Sequence, residues 1–337
     1  MTGRPAGRHE VTARLARRGA VMLITLWAVT LLAFVLLRVA PGDAALGALA
    51  RSPGEGFLTP DQIEARRHAL GLDRTYMNQY LDWLWGLVRL DAGRSLASGI
   101  PVLEELAPRF AVTLELAALT TLLVAGLAVP AGLIAASRAG SWVDRGVRAA
   151  ALSFLALPSF WVGLLLLLAL ASWFGFFRAV DYAAPSVDLW RNLQQVGPAA
   201  LVLALRPAGL LTRVIRASSI EALAADYVRA ARARGVGEAA IVWRHVLRTA
   251  APHAVTVLGA QVVYLLGGAI VVEQLFSLPG LGRAMASAVL ARDYPVVQLL
   301  VLAFGVVAIS VNLAVDMAHG LLDPRVRGAD AAGGGAR

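Results

Sequence analysis

Ser218-Ser219-Ile220-Glu221-Ala222-Leu223-Ala224-Ala225-Asp226-Tyr227-Val228-Arg229-Ala230-Ala231-Arg232-Ala233-Arg234-Gly235-Val236-Gly237 is a polar, basic run inside a chain that is otherwise greasy. It continues from Glu238 to Arg248 and ends before Pro252. Ala, Leu, Glu and Arg are strong helix formers, while Gly235-x-Gly237 marks a break, because glycine favours a turn after a helix. The run therefore predicts helix, sharp turn, helix, lying on a membrane surface that it cannot enter. Such a segment suits a handle by which a soluble partner moves a membrane part. Two competing readings are an amphipathic helix resting on anionic lipid and a simple solvated loop.

Composition supports the membrane setting. Of 337 residues, 58% are hydrophobic and 16% charged, against about 25% charged in an average soluble domain. The mean hydropathy is +0.67. With no cysteine, disulfides and thiolate metal sites are excluded. All 31 basic residues are arginine, which points to genomic base composition rather than function. The net charge of +9 fits loops facing anionic lipid. Nucleic acid is set aside, since no basic-aromatic surface module is present.

Residues 1–19 form a basic N-terminus. Residues 20–40 read as the first span, since Ala20 to Leu37 is uncharged and near the minimum crossing length. A cleaved signal peptide, with Ala48-x-Ala50 as its site, is the weaker alternative, because signal cores are usually shorter. Residues 41–109 read as a small ordered cap outside the membrane, with helical spacing from Asp61 to Leu70 and from Tyr76 to Leu90. The core, residues 110–322, holds five more spans. Leu116 to Ser137, Ala149 to Phe177, Thr249 to Val272 and Tyr294 to Val315 are each free of charge. The fourth crossing is weak: Asn192 to Leu205 is uncharged, but Arg206-Pro207 interrupts it. Residues 323–337 form a tail in which Gly333-Gly334-Gly335 reads as disordered.

Arginine placement decides the weak span, because positive residues gather on the cytoplasmic side. If it crosses, one side holds the arginines of the N-terminus, of the loop around Asp144, of Arg213 to Arg248 and of the tail. The short loops opposite then hold only Arg178, Arg191, Arg283 and Arg292. If it does not cross, the basic handle lies outside. The sequence thus predicts an all-α polytopic protein with six transmembrane helices, both ends cytoplasmic, and no backbone at membrane depth outside helices.

Four stretches, in order along the chain, carry a resemblance. They are Phe34-x-x-x-Arg38-x-x-Pro41-Gly42-Asp43; Leu70-Gly71-Leu72-Asp73-Arg74 with Gln79-Tyr80 and Asp91-x-Gly93-x-Ser95; Asp226 to Gly235 with His245-x-Leu247-Arg248; and Val272-Glu273-x-x-Phe276-Ser277-Leu278-Pro279-Gly280-Leu281-Gly282 with Arg292-Asp293-Tyr294-Pro295 and Asn312-x-x-x-Asp316. The chain resembles the membrane permease subunit of bacterial ATP-binding-cassette importers, in the branch for dipeptides, oligopeptides and nickel. The resemblance implies the type I permease fold, with a periplasmic insertion after the first span, in the bacterial inner membrane. It implies half of a translocation pathway for small peptides, completed by a second homologous permease as a heterodimer. It also implies two separate ATPase subunits, which bind ATP and magnesium, and a periplasmic or lipid-anchored solute-binding protein. This chain itself would hold no cofactor and be no enzyme. It has no G-x-x-x-x-G-K-[ST] run of its own.

Residues 217–250 match the family's cytoplasmic coupling motif, in which small alanines let a short helix sit in a groove of the ATPase. Ala230, Ala231 and Gly235 fall on its Ala-Ala and Gly, while Arg229 stands where the family has Glu. His245 and Arg248 replace its Ile and Pro. Glu221, Asp226, Arg229, Arg232, His245 and Leu247 complete the expected coupling set, with arginines meeting partner carboxylates. Glu273, Phe276, Pro279, Gly280 and Gly282 are expected at the outer gate, where a plain tight turn is the competing reading.

Asn312 and Asp316, four apart, are candidates for the pathway because intramembrane ionisable groups are functional by default; a carboxylate packed on an arginine is the rival. Ser159 and Phe160 beside Pro158 read as pathway residues or as a kink in a packed helix. Arg206 is expected to snorkel to the interface rather than line the pathway. His245 and His253 are isolated, without metal-ligand spacing. A stand-alone secondary transporter or channel is the alternative from another class, but such proteins put charged pairs or broken helices at the midplane.

Overall fold

The computed structural model describes residues 8–39, 60–69, 71, 73–174 and 182–322. Pro41-Gly42-Asp43, Ala48-x-Ala50 and the tail from Asp323 lie outside them. In chain order the helices are α1 (Arg8–Val39), α2 (Pro60–Ala69), α3 (Tyr76–Val88), α4 (Val102–Ser137), α5 (Trp142–Ala156), α6 (Ser159–Phe174), α7 (Leu189–Ala224), α8 (Asp226–Ala233), α9 (Glu238–Ala240), α10 (Leu247–Phe276), α11 (Leu281–Ala291) and α12 (Tyr294–Leu322). A π-helical stretch, Ile241–Val246, joins α9 to α10. No strand forms among the described residues, only an isolated bridge between Arg94 and Pro101.

Five helices are long and apolar enough to cross a bilayer: Gly19–Val39, Val102–Ser137, Leu189–Ala224, Glu238–Phe276 and Tyr294–Ala318. The count reaches six when α5 and α6 are taken together as one broken span. Here the expected single span from Ala149 to Phe177 needs correction, because the pair is bent by 102°. The cause lies in Pro158, which lacks an N–H and forces its predecessor out of helical geometry; Leu157 is extended at φ −81°, ψ 129°. The loop around Asp144 is also helical. Ser141 caps α5 by accepting the Asp144 N–H at 3.3 Å, so the helix starts well before the apolar run.

The weak fourth span is a continuous helix, α7, with Pro198 and Pro207 inside it. Its low hydropathy has a physical reason. About 61% of its best window is buried, against 17–28% for the other four long helices. A helix that faces protein does not need large apolar side chains, and small ones permit close approach. Ala199, Ala200, Ala204 and Ala208 are all buried. A Cβ on Gly209 would sit 2.6 Å from the Ala151 carbonyl oxygen of α5.

The described chain clusters into two compact units, Met1–Val112 with Gly280–Ile309, and Thr113–Pro279 with Ser310–Arg337. In the first, Val102, Leu106, Leu281, Ala288, Val296 and Leu300 form the core. Asp293 is one side chain that pins its cap. The buried Asp293 carboxylate accepts from the Ser95 hydroxyl at 2.5 Å and from the N–H groups of Leu96 and Ala97 at 3.0 and 3.1 Å. Asp91 accepts the Gly93 N–H at 2.9 Å, and Gly93 takes φ +81°, so Asp91-x-Gly93-x-Ser95 is a turn that delivers Ser95 to Asp293.

In the second unit α7 packs against α5, α6 and α10, around Val124, Leu133, Leu211, Ile215 and Ile241. The buried Asp144 carboxylate receives both Nε and Nη2 of Arg216 at 2.5 and 2.7 Å, and the Gly140 N–H at 2.9 Å. Breaking such a pair from one side leaves an uncompensated buried charge. Asp144→Asn should therefore destabilise this unit by about 3 kcal/mol, read as a lower melting temperature and faster proteolysis in membranes. Unchanged thermal stability would count against it.

Candidate functional site

The basic run folds as an elbow. α7 ends at Ala224, and Ala225 is extended at ψ 151°, so the chain turns sharply into the eight-residue α8. On α8, Val228 and Ala231 are buried and join Ala222, Ile241 and Val246 in the second unit's core. Arg229, Ala230 and Arg232 are exposed, as are Glu221 and Asp226. The two motif alanines thus differ in exposure: Ala231 is buried and anchors the helix, while Ala230 is exposed and left for contact.

Gly235 makes the turn. It takes φ +78°, its N–H reaches the Arg232 carbonyl at 2.9 Å, and the Val236 N–H reaches the Ala231 carbonyl at 3.2 Å. This is a Schellman ending, for which glycine is the usual residue. Across the turn Glu238 accepts from Arg232 Nε and Nη2 at 2.6 and 3.2 Å. That carboxylate pushes the Arg232 guanidinium further above its usual range. A second pair, Arg229 with Asp226, lies along α8. His245 and Leu247 are half-buried on the π-helical stretch and the start of α10, while Trp243 is exposed.

The other expected residues are more scattered. Glu273 is fully buried on α10 and accepts from the Thr113 hydroxyl at 2.7 Å. Phe276 is buried, and the helix ends on Ser277 at φ 55°, a conformation costly for most non-glycine residues. Pro279 closes that unit, while Gly280 and Gly282 are buried at the start of α11 in the other. Ser159 is half-buried and Phe160 exposed at the bend, and Asn312 and Asp316 are exposed on α12.

Arg206 has a partner that the sequence did not indicate. At about 1.5 Å per residue it lies roughly 26 Å from either end of α7. Its Nη1 donates to the Tyr264 hydroxyl at 2.5 Å and its guanidinium lies 4.9 Å from that ring. It is tied to a partner on α10. Two residues escaped the sequence reading, Glu238 and Tyr264. Each is named only by a contact across a turn or between helices, for which periodicity carries no signal. Among the described residues no group of three or more His, Asp or Glu could hold a metal.

Residues 128–328 match the family described as binding-protein-dependent transport system inner membrane component, and residues 12–117 match the N-terminal family of the same system. The chain belongs to this family. A protein of Brucella abortus (strain 2308), provisionally named a peptide transport system permease, is 36% identical over 94% of this chain and 99% of its own. The dipeptide transport system permease protein DppB of Escherichia coli K12 is 34% identical over 93% and 98%. The di/tripeptide transport system permease protein DppB of Pseudomonas aeruginosa is 35% identical over 93% and 98%. Among solved structures, a chain of the inward-facing MetNI methionine ABC transporter superposes with a TM-score of 0.53 at 16% identity, covering 65% of this chain and 96% of that one. That likeness shows the fold. As an importer permease the chain is a multi-pass inner-membrane subunit and not an enzyme; ATP hydrolysis lies in separate subunits of the transporter.

Proposed function

We propose that this permease forms half of a translocation path for small peptides and that force enters it through the α8 elbow. The observation that carries the coupling role is the elbow's construction. A short helix is fixed to the bundle by Val228 and Ala231, turned by Gly235, braced by Arg232 and Glu238, and left bare on its Arg229–Ala230 side. A rigid lever of this kind passes a partner's movement into α7 and α10 without bending. Small peptides are the cargo that the names of the E. coli and P. aeruginosa relatives support.

In this reading the elbow and both termini face the cytoplasm, two ATPase subunits hold the elbows, and a second, related permease completes the path. An external binding protein docks near Glu273 to Gly282 and selects the cargo. The mid-helix Arg206–Tyr264 pair, with Ser159, Asn312 and Asp316, supplies polar groups along the path, and Phe160 an aromatic face.

The absence of cysteine makes the test direct. Ala230→Cys should react with a membrane-impermeant maleimide only in inside-out vesicles and should crosslink to the ATPases. Deleting residues 221–247 should leave the spans inserted while the ATPases no longer copurify. Labelling of Ala230→Cys from the outside, or ATPases retained by the deletion with uptake intact, overturns the coupling assignment.

A further inference from the structure

One cavity of about 210 Å³ lies wholly within the first unit, lined by Phe34, Arg38, Gln79, Trp83, Tyr294 and Gln298 among others. Five buried side-chain polar atoms lack a hydrogen-bond partner among the described residues, and three belong to this lining: Arg38 Nη1, Trp83 Nε1 and Gln298 Nε2. All three are donors. Buried donors are nearly always matched, and three unmatched ones on one cavity point to an acceptor that completes them. Gln298 is only 4% exposed, so bulk water does not serve it.

The guanidinium is held ready. Nε and Nη2 of Arg38 donate to Gln79 Oε1 at 3.2 and 2.6 Å, and Gln79 is itself fixed by donating to the Arg74 carbonyl at 2.8 Å. The guanidinium carbon lies 4.4 Å from the Phe34 ring centroid and 4.7 Å from that of Tyr294. Gln79 therefore takes one edge of the guanidinium and leaves Nη1 to face a ligand. The other charges on the cavity cancel, since Arg74 pairs with Asp82 at 3.0 Å. Among the described lining residues one uncompensated positive charge remains, which fits a monoanion.

The volume is below the roughly 300–1,000 Å³ of ordinary small-molecule sites, so the cavity suits a single acidic group rather than a whole cargo. A carboxylate offers two oxygens with about four acceptor positions and no donor, matching a guanidinium, an indole N–H and an amide.

We propose that this cavity is a carboxylate-binding site, with Arg38 as its charge partner and Trp83 and Gln298 as neutral donors. The assignment is separate from the coupling role and does not rest on the cargo. The residues come from stretches far apart in the chain, Phe34 to Arg38, Gln79 and Tyr294-Pro295, which the elbow leaves unexplained.

The test uses the full chain, purified with its partner subunits in nanodiscs and again in detergent. Acetate and its neutral isostere acetamide are compared by saturation-transfer NMR. Acetate should bind saturably and acetamide should not. Arg38→Gln and Gln298→Leu should each weaken acetate at least tenfold, and Trp83→Phe should do so more mildly, all with an unchanged melting temperature. If Arg38→Gln fails to fold, Gln298→Leu and Trp83→Phe carry the comparison. Equal binding of acetate and acetamide, or acetate binding indifferent to these variants, overturns the proposal. So does acetate binding in detergent that added phospholipid abolishes, which would identify a lipid phosphate seat instead.

Discussion

Gly235→Val is expected to cut peptide uptake at least tenfold while leaving the protein inserted and abundant. The native residue sits at φ +78°, where an L side chain meets the following carbonyl at a cost of about 1–2 kcal/mol, and a β-branched one tolerates it least. The backbone escapes by leaving the left-handed region, and the two Schellman bonds to Arg232 and Ala231 go with it. Arg232 then no longer faces Glu238, and the exposed side of α8 points elsewhere. Gly235→Asn is the control, because asparagine visits this region readily; it should retain at least half of the uptake. Uptake by the complete transporter, alongside ATPase copurification, checks both. Full uptake by the valine variant would remove the elbow from the coupling path.

Asp293→Ala is expected to have the second largest effect, on the cap rather than the elbow. The carboxylate accepts three donors, two of them backbone N–H groups, and hydrogen bonds to a charged acceptor are worth about 1.5–3 kcal/mol each. Without it, the amides of Leu96 and Ala97 lose their main acceptor in a partly buried turn. A net loss of about 3 kcal/mol or more follows. That is a large fraction of the 5–15 kcal/mol that holds a typical domain together. Hydrogen exchange should quicken at residues 96–97 first, and the melting temperature should fall by several degrees. Protection unchanged at these amides would show that the turn is held by other contacts. Asp293→Asn should be intermediate, since one amide oxygen still accepts.

The helical, multi-pass architecture was legible because uncharged runs of 18 residues or more leave few alternatives. The elbow was legible for the opposite reason: charge and paired glycines stand out against apolar surroundings. Three features were not. The corner at Pro158 read as a kink, since proline tells where a helix is disturbed but not by how much. α7 looked weak because hydropathy measures fitness for lipid, and this helix is covered mostly by its own chain. Arg206 read as a lone charge interrupting a span, while its partner, Tyr264, lies 58 residues away. The Asp293 clamp and the Arg38 cavity were present in the sequence as separate motifs. Their juxtaposition needed the fold, because spacing along a chain says nothing of contacts across some 200 residues.

The π-helical stretch Ile241–Val246 carries a further consequence for how the lever is aimed. Each residue of an α-helix advances the backbone by about 100° in azimuth, and a π turn accommodates one residue more than α pitch allows. Were the same six residues wound at α pitch instead, everything upstream would swing by roughly a quarter of a revolution about the α10 axis. The compass bearing of Arg229 and Ala230 is thus set by one surplus residue at the root of the last-but-one crossing.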